Sequence, residues 1–174
     1  MDDLTIRDAA VSDMEAAASL YAHHVRHGLA TFEEDPPPAA EMTKRLAAVR
    51  DGGFPWLVAE AGGMVLGYAY AGPYRARSAY RFTVEDSIYL SADAAGRGIG
   101  SALLEALLAR CTAAGARQMI AVIGDSGNAA SIALHRRFGF AHAGLLKSAG
   151  FKFGRWVDVV LMQRPLGGGD GNLP

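Results

Sequence analysis

The sequence is short of the features that decide several function classes outright. Its 174 residues hold one cysteine, Cys111, so no intrachain disulfide can form and a disulfide-framed secreted fold is excluded. Neither sign of charge dominates: 17 Lys and Arg against 18 Asp and Glu leave a formal charge of −1, which gives no global pull on nucleic acid or an anionic membrane surface. No apolar run approaches the roughly 20 residues that span a bilayer. The opening MDDLTIRDAA also lacks the basic-then-apolar order of a secretion signal. The expectation is a cytoplasmic protein with no nucleic-acid and no membrane partner. Two phosphate-binding signatures are missing as well. No Gly-Lys is followed by Ser or Thr, and a GxGxxG would need its last glycine at Leu103 counting from Gly98, or at Ser101 counting from Gly96.

What is present is enough apolar material for one core. Half of the chain (51%) is apolar, which predicts a single domain over residues 1–165 and a flexible tail over 166–174 that contains the Gly-rich GGGDGNLP. Strands and helices interleave. LTIR (4–7) reads as a strand, and Ser12 with Glu15 as a capping box opening a helix with Met14, Ala18, Tyr21 and Val25 inward. A second helix is predicted after the prolines 36–38, with Met42, Leu46 and Val49 inward. Strands at 56–61 and 64–71 are joined by Gly62 and Gly63. A strand at 83–91 leads into a helix that buries Leu103, Leu104, Leu107, Leu108 and Cys111. A strand at 117–123, a helix at 129–138 closed by Gly139, and strands near 141–149 and 157–163 complete the set.

Three stretches carry chemistry. In SADAAGRGIGSALLEALLARC, glycines at 96, 98 and 100 open a helix, and glycine lets the unpaired amides of a helix N-terminus approach an anion closely. A tight ligand-free turn is the plain alternative. In the strand at 83–91 the two-residue period puts Thr83, Glu85, Ser87 and Tyr89 on one face and Val84, Asp86, Ile88 and Leu90 on the other. Glu85 is a general-base candidate if burial raises its pKa, or else an ion-pair partner of Arg81 or Arg75. Tyr89 stands some 13 Å further along, too far to share one reacting centre with Glu85. In the helix at 129–138, Asn128, Ser131 and His135 form a polar stripe at i, i+3 and i+7. Asn128 also reads as an N-cap, and His135 as a satisfied core histidine. The loop GPYRARSAYRF (72–82) offers Arg75 and Arg77, whose planar forks match carboxylates and phosphinates, while Arg81 reads as solvated. His23 and His27, at i and i+4, lack a third ligand for zinc, and Cys111 reads as core. No metal is expected.

DAAGRGIGSALLEALL resembles the acetyl-CoA pyrophosphate loop of the GNAT superfamily of N-acetyltransferases, with one departure: Ala95 stands where the pattern has Gln or Arg. The order of elements over residues 4–164 matches that fold too. FTVEDSIYL (82–90), GNAASIALHRRFGF (127–140) and GFKFGRWVDVVLMQ (150–163) further resemble the subgroup acting on phosphinothricin and methionine sulfoximine. The resemblance implies a mixed α/β, mostly antiparallel central sheet of about seven strands flanked by about four helices. It implies an enzyme moving acetyl from acetyl-CoA to the α-amine of a small amino-acid analogue by direct attack. Glu85 would be the general base, and His135 would help the departing thiolate. The coenzyme would be held by Ile88, Tyr89 and Leu90, by Gly96, Arg97, Gly98, Ile99, Gly100 and Ser101, and by Asn128 and Ser131. Arg75, Arg77 and Ser87 would contact the amine substrate, with TFEEDPPP (31–38) as the other wall of its site. A homodimer with the final hairpin near its interface is implied too. Acetylation of another amine, and a coenzyme A sensor without catalysis, are the competing functions.

Overall fold

Alternating branched and aromatic residues put Trp56–Ala61 and Met64–Pro73 into strands β2 and β3. Gly62 and Gly63, with φ of 58° and 75°, supply the left-handed backbone that a two-residue hairpin requires. The computed structural model describes residues 3–173. β1 (Thr5–Asp8) precedes this hairpin, and β4 (Thr83–Leu90), β5 (Gln118–Gly124), β6 (Ala141–Lys152) and β7 (Arg155–Pro165) follow it. Helices α1 (Met14–His27), α2 (Ala39–Asp51), α3 (Ile99–Ala113) and α4 (Ala129–Arg137) lie between strands. Among the described residues, seven strands form one sheet in the order β1-β2-β3-β4-β5-β7-β6. Neighbours pair antiparallel except β4 and β5, which run parallel. None of the described helices is long and apolar enough to cross a membrane.

Each sheet face has its own core. On one, α1 and α2 bury Met14, Tyr21, Val25, Met42 and Leu46 against Trp56, Val58 and Tyr68. On the other, the α3 stripe of Leu103, Leu104, Leu107, Leu108 and Cys111 packs on Leu57, Ala69, Val84 and Met119. Each such aliphatic side chain stabilises the fold by about 1.5–3 kcal/mol on removal from water. This fixes β4 in the middle of the sheet with both faces covered.

Parallel pairing of β4 with β5 lasts only from Thr83↔Gln118 to Asp86↔Ala121. Beyond it β4 runs on to Leu90 and β5 to Gly124 without pairing, so the two strands splay and their edges open toward the start of α3.

Three local expectations differ from the structure. A short 3-10 turn at Val11–Asp13 precedes α1, so Ser12 and Glu15 do not form the cap. Asp13 closes that turn, and no side chain caps α1: the Asp13 carboxylate accepts from the Ala10 amide at 2.6 Å and from Arg7 at 2.7 Å, and the Arg7 hydrogen bond holds it below the usual carboxylate range. The last hairpin is longer than its alternation suggests. Bulges between His142 and Gly144 and between Leu146 and Gly150 break the two-residue period, and Phe153 and Gly154, both at positive φ, make the turn. The segment after Pro165 is not a free tail over its described residues. Leu166 is buried, its amide donates to the Arg117 carbonyl at 2.9 Å, and the Arg117 guanidinium donates to the Asn172 carbonyl at 3.0 Å. Pro174 lies outside the described residues.

Candidate active site

The splay between β4 and β5 is the mouth of a cleft of about 740 Å³. The end of α1, the second half of β4, the glycine loop, the end of β5 and the first turns of α4 wall it. The loop lies at one end because β4 leads through a 3-10 turn at Ala92–Ala94 straight into it. Gly96 and Gly98 have φ of 73° and 80°, a left-handed backbone that glycine adopts without penalty, and a Cβ at either would meet nothing within 4 Å. Gly98 is the N-cap of α3, and no side chain caps that helix. Its first-turn amides are therefore free to take an anion, which fits the diphosphate of a nucleotide coenzyme.

The two-residue period of β4 holds through its middle. Glu85 and Tyr89 face α1 and α2, while Val84, Ile88 and Leu90 pack in the α3 core. Glu85 is half-buried, and among the described residues it has neither an ion-pair nor a hydrogen-bond partner. Arg81 instead lies over the Phe82 ring at 4.6 Å and donates to the Ser78 carbonyl, and Arg75 stacks 5.1 Å from the Tyr74 ring. Burial, and after it the charge of Asp86, push the Glu85 carboxyl above the usual carboxylate range. The ion pair with Arg81 or Arg75 is thus not formed.

Asp86, one residue on, has the opposite surroundings. It is buried, and its Oδ2 lies 3.0 Å from His135 Nε2 on α4. His135 Nδ1 lies 2.8 Å from the Ser131 carbonyl. Both ring nitrogens thus face oxygen atoms, an arrangement that the doubly protonated imidazole satisfies by donating from both. Burial alone would lower its pKa, but the Asp86 hydrogen bond and charge outweigh burial and raise it. As placed, His135 has no free nitrogen to offer a thiolate. Asp86 Oδ1 is buried without a partner, and the ion pair forms part of the cleft wall.

Most of the residues singled out in the sequence meet here. Ser87, Ile88, Tyr89 and Leu90 line the cleft from β4, Gly96, Gly98, Ile99, Gly100 and Ser101 from the loop, and Asn128, Ser131 and His135 from α4. Asn128 also caps α4, its Oδ1 accepting from the Ser131 amide at 3.2 Å. The Tyr89 side chain turns away into an aromatic cluster with Tyr21 and Tyr68, ring centroids 4.8 and 5.4 Å apart. Arg97 points outward and donates to the Asp93 carbonyl. Arg75 and Arg77 are exposed on the β3–β4 loop, outside the cleft. His23 and His27 form an exposed pair with rings 5.0 Å apart. Cys111 is core, and burial pushes its thiol up to about 12.

Asp86 and His24 are among the cleft residues that were not singled out in the sequence. Asp86 had one signal, a carboxylate at an apolar-face position, which needs a partner. His24 had none: its Nε2 lies 2.8 Å from the Leu90 carbonyl at the mouth of the cleft, and burial holds its pKa below the ordinary value.

Comparison with known proteins follows this geometry. The sequence pattern of the acetyltransferase (GNAT) family matches residues 17–140. The chain belongs to that family. A phosphinothricin N-acetyltransferase of Alcaligenes faecalis is 58% identical over 170 residues, which cover 98% of this chain and 86% of that protein. An L-methionine sulfoximine/L-methionine sulfone acetyltransferase of Pseudomonas paraeruginosa is 44% identical over 160 residues, covering 91% and 92%. Among solved structures, a GNAT superfamily phosphinothricin acetyltransferase from Sinorhizobium meliloti, in complex with AcCoA, is similar with a TM-score of 0.95 at 52% identity, covering 99% of this chain and 93% of that one. The mixed, mostly antiparallel sheet that the resemblance implied is present, and it is the GNAT fold.

Proposed function

We propose that the protein is an acetyl-CoA-dependent N-acetyltransferase acting on the α-amine of a small amino-acid analogue of the phosphinothricin, methionine sulfoximine or methionine sulfone type. The observation that carries this reading is Glu85: a half-buried carboxylate without a partner, its pKa raised by burial, two residues from a cleft whose glycine loop is shaped for a diphosphate. Names of relatives 58% and 44% identical support the substrate class.

Bound in the cleft, acetyl-CoA supplies an acyl carbon already activated as a thioester. The amides between Gly96 and Ser101 hold its diphosphate, with Asn128 and Ser131 on the facing helix. The edge of β4 from Ile88 to Leu90, still paired with β3 but no longer with β5, holds the pantetheine arm through the main-chain groups it turns to the cleft. Ser87 lines the cleft and lies one repeat, about 6.6 Å, from Glu85 on the same strand face, so the acyl end and the base meet there. A protonated amine has no lone pair, and Glu85 removes its proton directly or through one water. Arg75 and Arg77 meet the acidic group of the acceptor. His135, tied at both nitrogens, positions α4 on β4 rather than giving up a proton.

A homodimer accompanies this reading. β6 is the sheet edge, and the hairpin it forms with β7 exposes Leu145, Leu146, Phe151, Phe153 and Trp156, the last 67% accessible. An apolar edge of that kind is protected by pairing with a second copy. Light scattering at micromolar concentration should give the mass of two chains, and a monomer would oppose it. The one, buried cysteine suits a reducing compartment, and the cytoplasm is the proposed location.

The test of the activity is thiol release from acetyl-CoA with methionine sulfoximine, methionine sulfone or phosphinothricin as acceptor. Release well above a Glu85→Gln control is expected. No release with any of the three would defeat the reading.

A further inference from the structure

We infer that Lys152 is a positioning residue for the amine acceptor: from the end of β6 its buried ammonium grips the main chain of residues 28–31, which forms one wall of the cleft. The inference rests on the acetyltransferase reading above and adds a residue to it.

Lys152 is 1% exposed, yet no carboxylate lies within ion-pairing distance of it among the described residues. Its Nζ donates to the Gly28 carbonyl at 2.9 Å and to the Thr31 carbonyl at 2.7 Å, and stands 5.0 Å from the Phe153 ring. Gly28 is the C-cap of α1, so the ammonium also sits at the negative end of a helix dipole. Burial lowers its pKa, opposed by the charges of Glu34 and Glu33. These contacts satisfy the cation without a counter-charge, and their target is main chain far away in sequence.

That main chain matters to the site in two ways. Gly28, Leu29 and Ala30 line the cleft, and Leu29 packs so tightly on Gly124, at the end of β5, that a Cβ there would fall 2.4 Å from its carbonyl oxygen. The wall is thus pinched between β5 and Lys152. The continuing chain then joins the face that carries the base. The Thr31 hydroxyl bonds the Tyr21 hydroxyl at 2.6 Å, which donates to Glu33 at 3.0 Å, and Glu33 is clasped by Arg45 at 2.7 Å. The Tyr21 ring meets Tyr89 edge-on, and Tyr70, raised above its ordinary pKa mainly by burial, feels the charges of both Glu85 and Glu33. Lys152 thereby anchors a wall that runs from the acyl end of the cleft to the side from which the amine must approach.

The test is steady-state kinetics of Lys152→Met, which keeps the stem and removes the donors, with acetyl-CoA and methionine sulfone. Loss of two hydrogen bonds from the wall should raise the acceptor KM about tenfold. The turnover number should stay within about threefold, and the acetyl-CoA KM should rise less than the acceptor KM, since the diphosphate loop keeps its own amides. An acetyl-CoA KM raised as much as the acceptor KM together with a lowered turnover number, or an unchanged acceptor KM, would overturn the inference. Should Lys152→Met fail to fold, Lys152→Gln, which retains a neutral donor, is expected to show the same split at smaller size. Failure of both to fold would assign Lys152 to the core and likewise overturn it. A wild-type protein without turnover would sink the acetyltransferase reading itself, whereas active wild type with an unaltered Lys152→Met would sink only this inference.

Discussion

Glu85 and Asp86 are consecutive carboxylates on one strand, and the sheet puts them in opposite surroundings. Glu85 faces the α1 and α2 side, partly open and unpaired, and burial raises its pKa. Asp86 faces the α3 and α4 side, where His135 neutralises it at 3.0 Å. The one-residue alternation of a strand is enough to separate an unpaired carboxylate, the one proposed as the base, from a carboxylate held in an ion pair. A free carboxylate can do chemistry because nothing in the protein satisfies it, and a paired one resists chemistry because something does.

Substitutions should break the comparison cleanly, beginning with the largest effect. Glu85→Gln should lower the turnover number about 10²–10⁴-fold, the usual worth of a positioned base, without loss of thermal stability, since it removes a partly buried charge with no partner. The rate should rise with pH through an acid limb lying above the ordinary carboxyl value of 4.5, and that limb should vanish in the variant. Asp86→Asn should do the reverse. It leaves a buried imidazolium without its counter-charge and should cost about 2–3 kcal/mol in denaturant unfolding, below the full value for a broken buried pair because imidazole can shed its proton. Its turnover number should fall far less than that of Glu85→Gln. The pH dependence has a definite sign. With its folded pKa raised above 6.5, His135 stabilises the protein fully below that value, and the contribution is lost as pH rises through the folded pKa. Stability of the wild type should therefore decline across that window, and stability of Asp86→Asn should not.

Smaller effects sharpen the contrast between side-chain and main-chain roles. Gly98→Ala forces a residue with a Cβ to φ of 80° in otherwise open space, a strain of about 1 kcal/mol. The acetyl-CoA KM should rise about fivefold, with the Glu85 acid limb unmoved. Ala95→Gln, which restores the side chain usual in the family's loop, should lower the acetyl-CoA KM about twofold, the worth of one exposed hydrogen bond. Titration of both variants with acetyl-CoA checks these values.

The elements with local causes were legible in the sequence. The Gly62-Gly63 turn, the prolines before α2 and the glycines opening α3 each state their own backbone geometry, and the period of β4 separates Glu85 from Asp86. What escaped depends on partners distant along the chain. The bond from Asp86 to His135 spans 49 residues, and that from Lys152 to Thr31 spans 121, and no local pattern announces either. The extent of β6 was hidden because its bulges disrupt the alternation by which a strand is recognised. The start of α1 was misread because Asp13, bound by Arg7 from β1, closes a 3-10 turn over the residues of a motif that looked complete on its own. Similarly, the glycines after Pro165 imply freedom by composition, while Arg117, just before β5, holds that segment from a distant part of the chain.

The central claim is that the half-buried carboxylate of Glu85 receives the proton of the acceptor amine. A crystal structure of the protein with acetyl-CoA and methionine sulfoximine tests it most directly. The Glu85 carboxylate should lie at about 2.6–3.2 Å from the amine nitrogen, or be joined to it by a single ordered water. An amine bound on the far side of the strand, or separated from Glu85 by more than one water, would contradict the account.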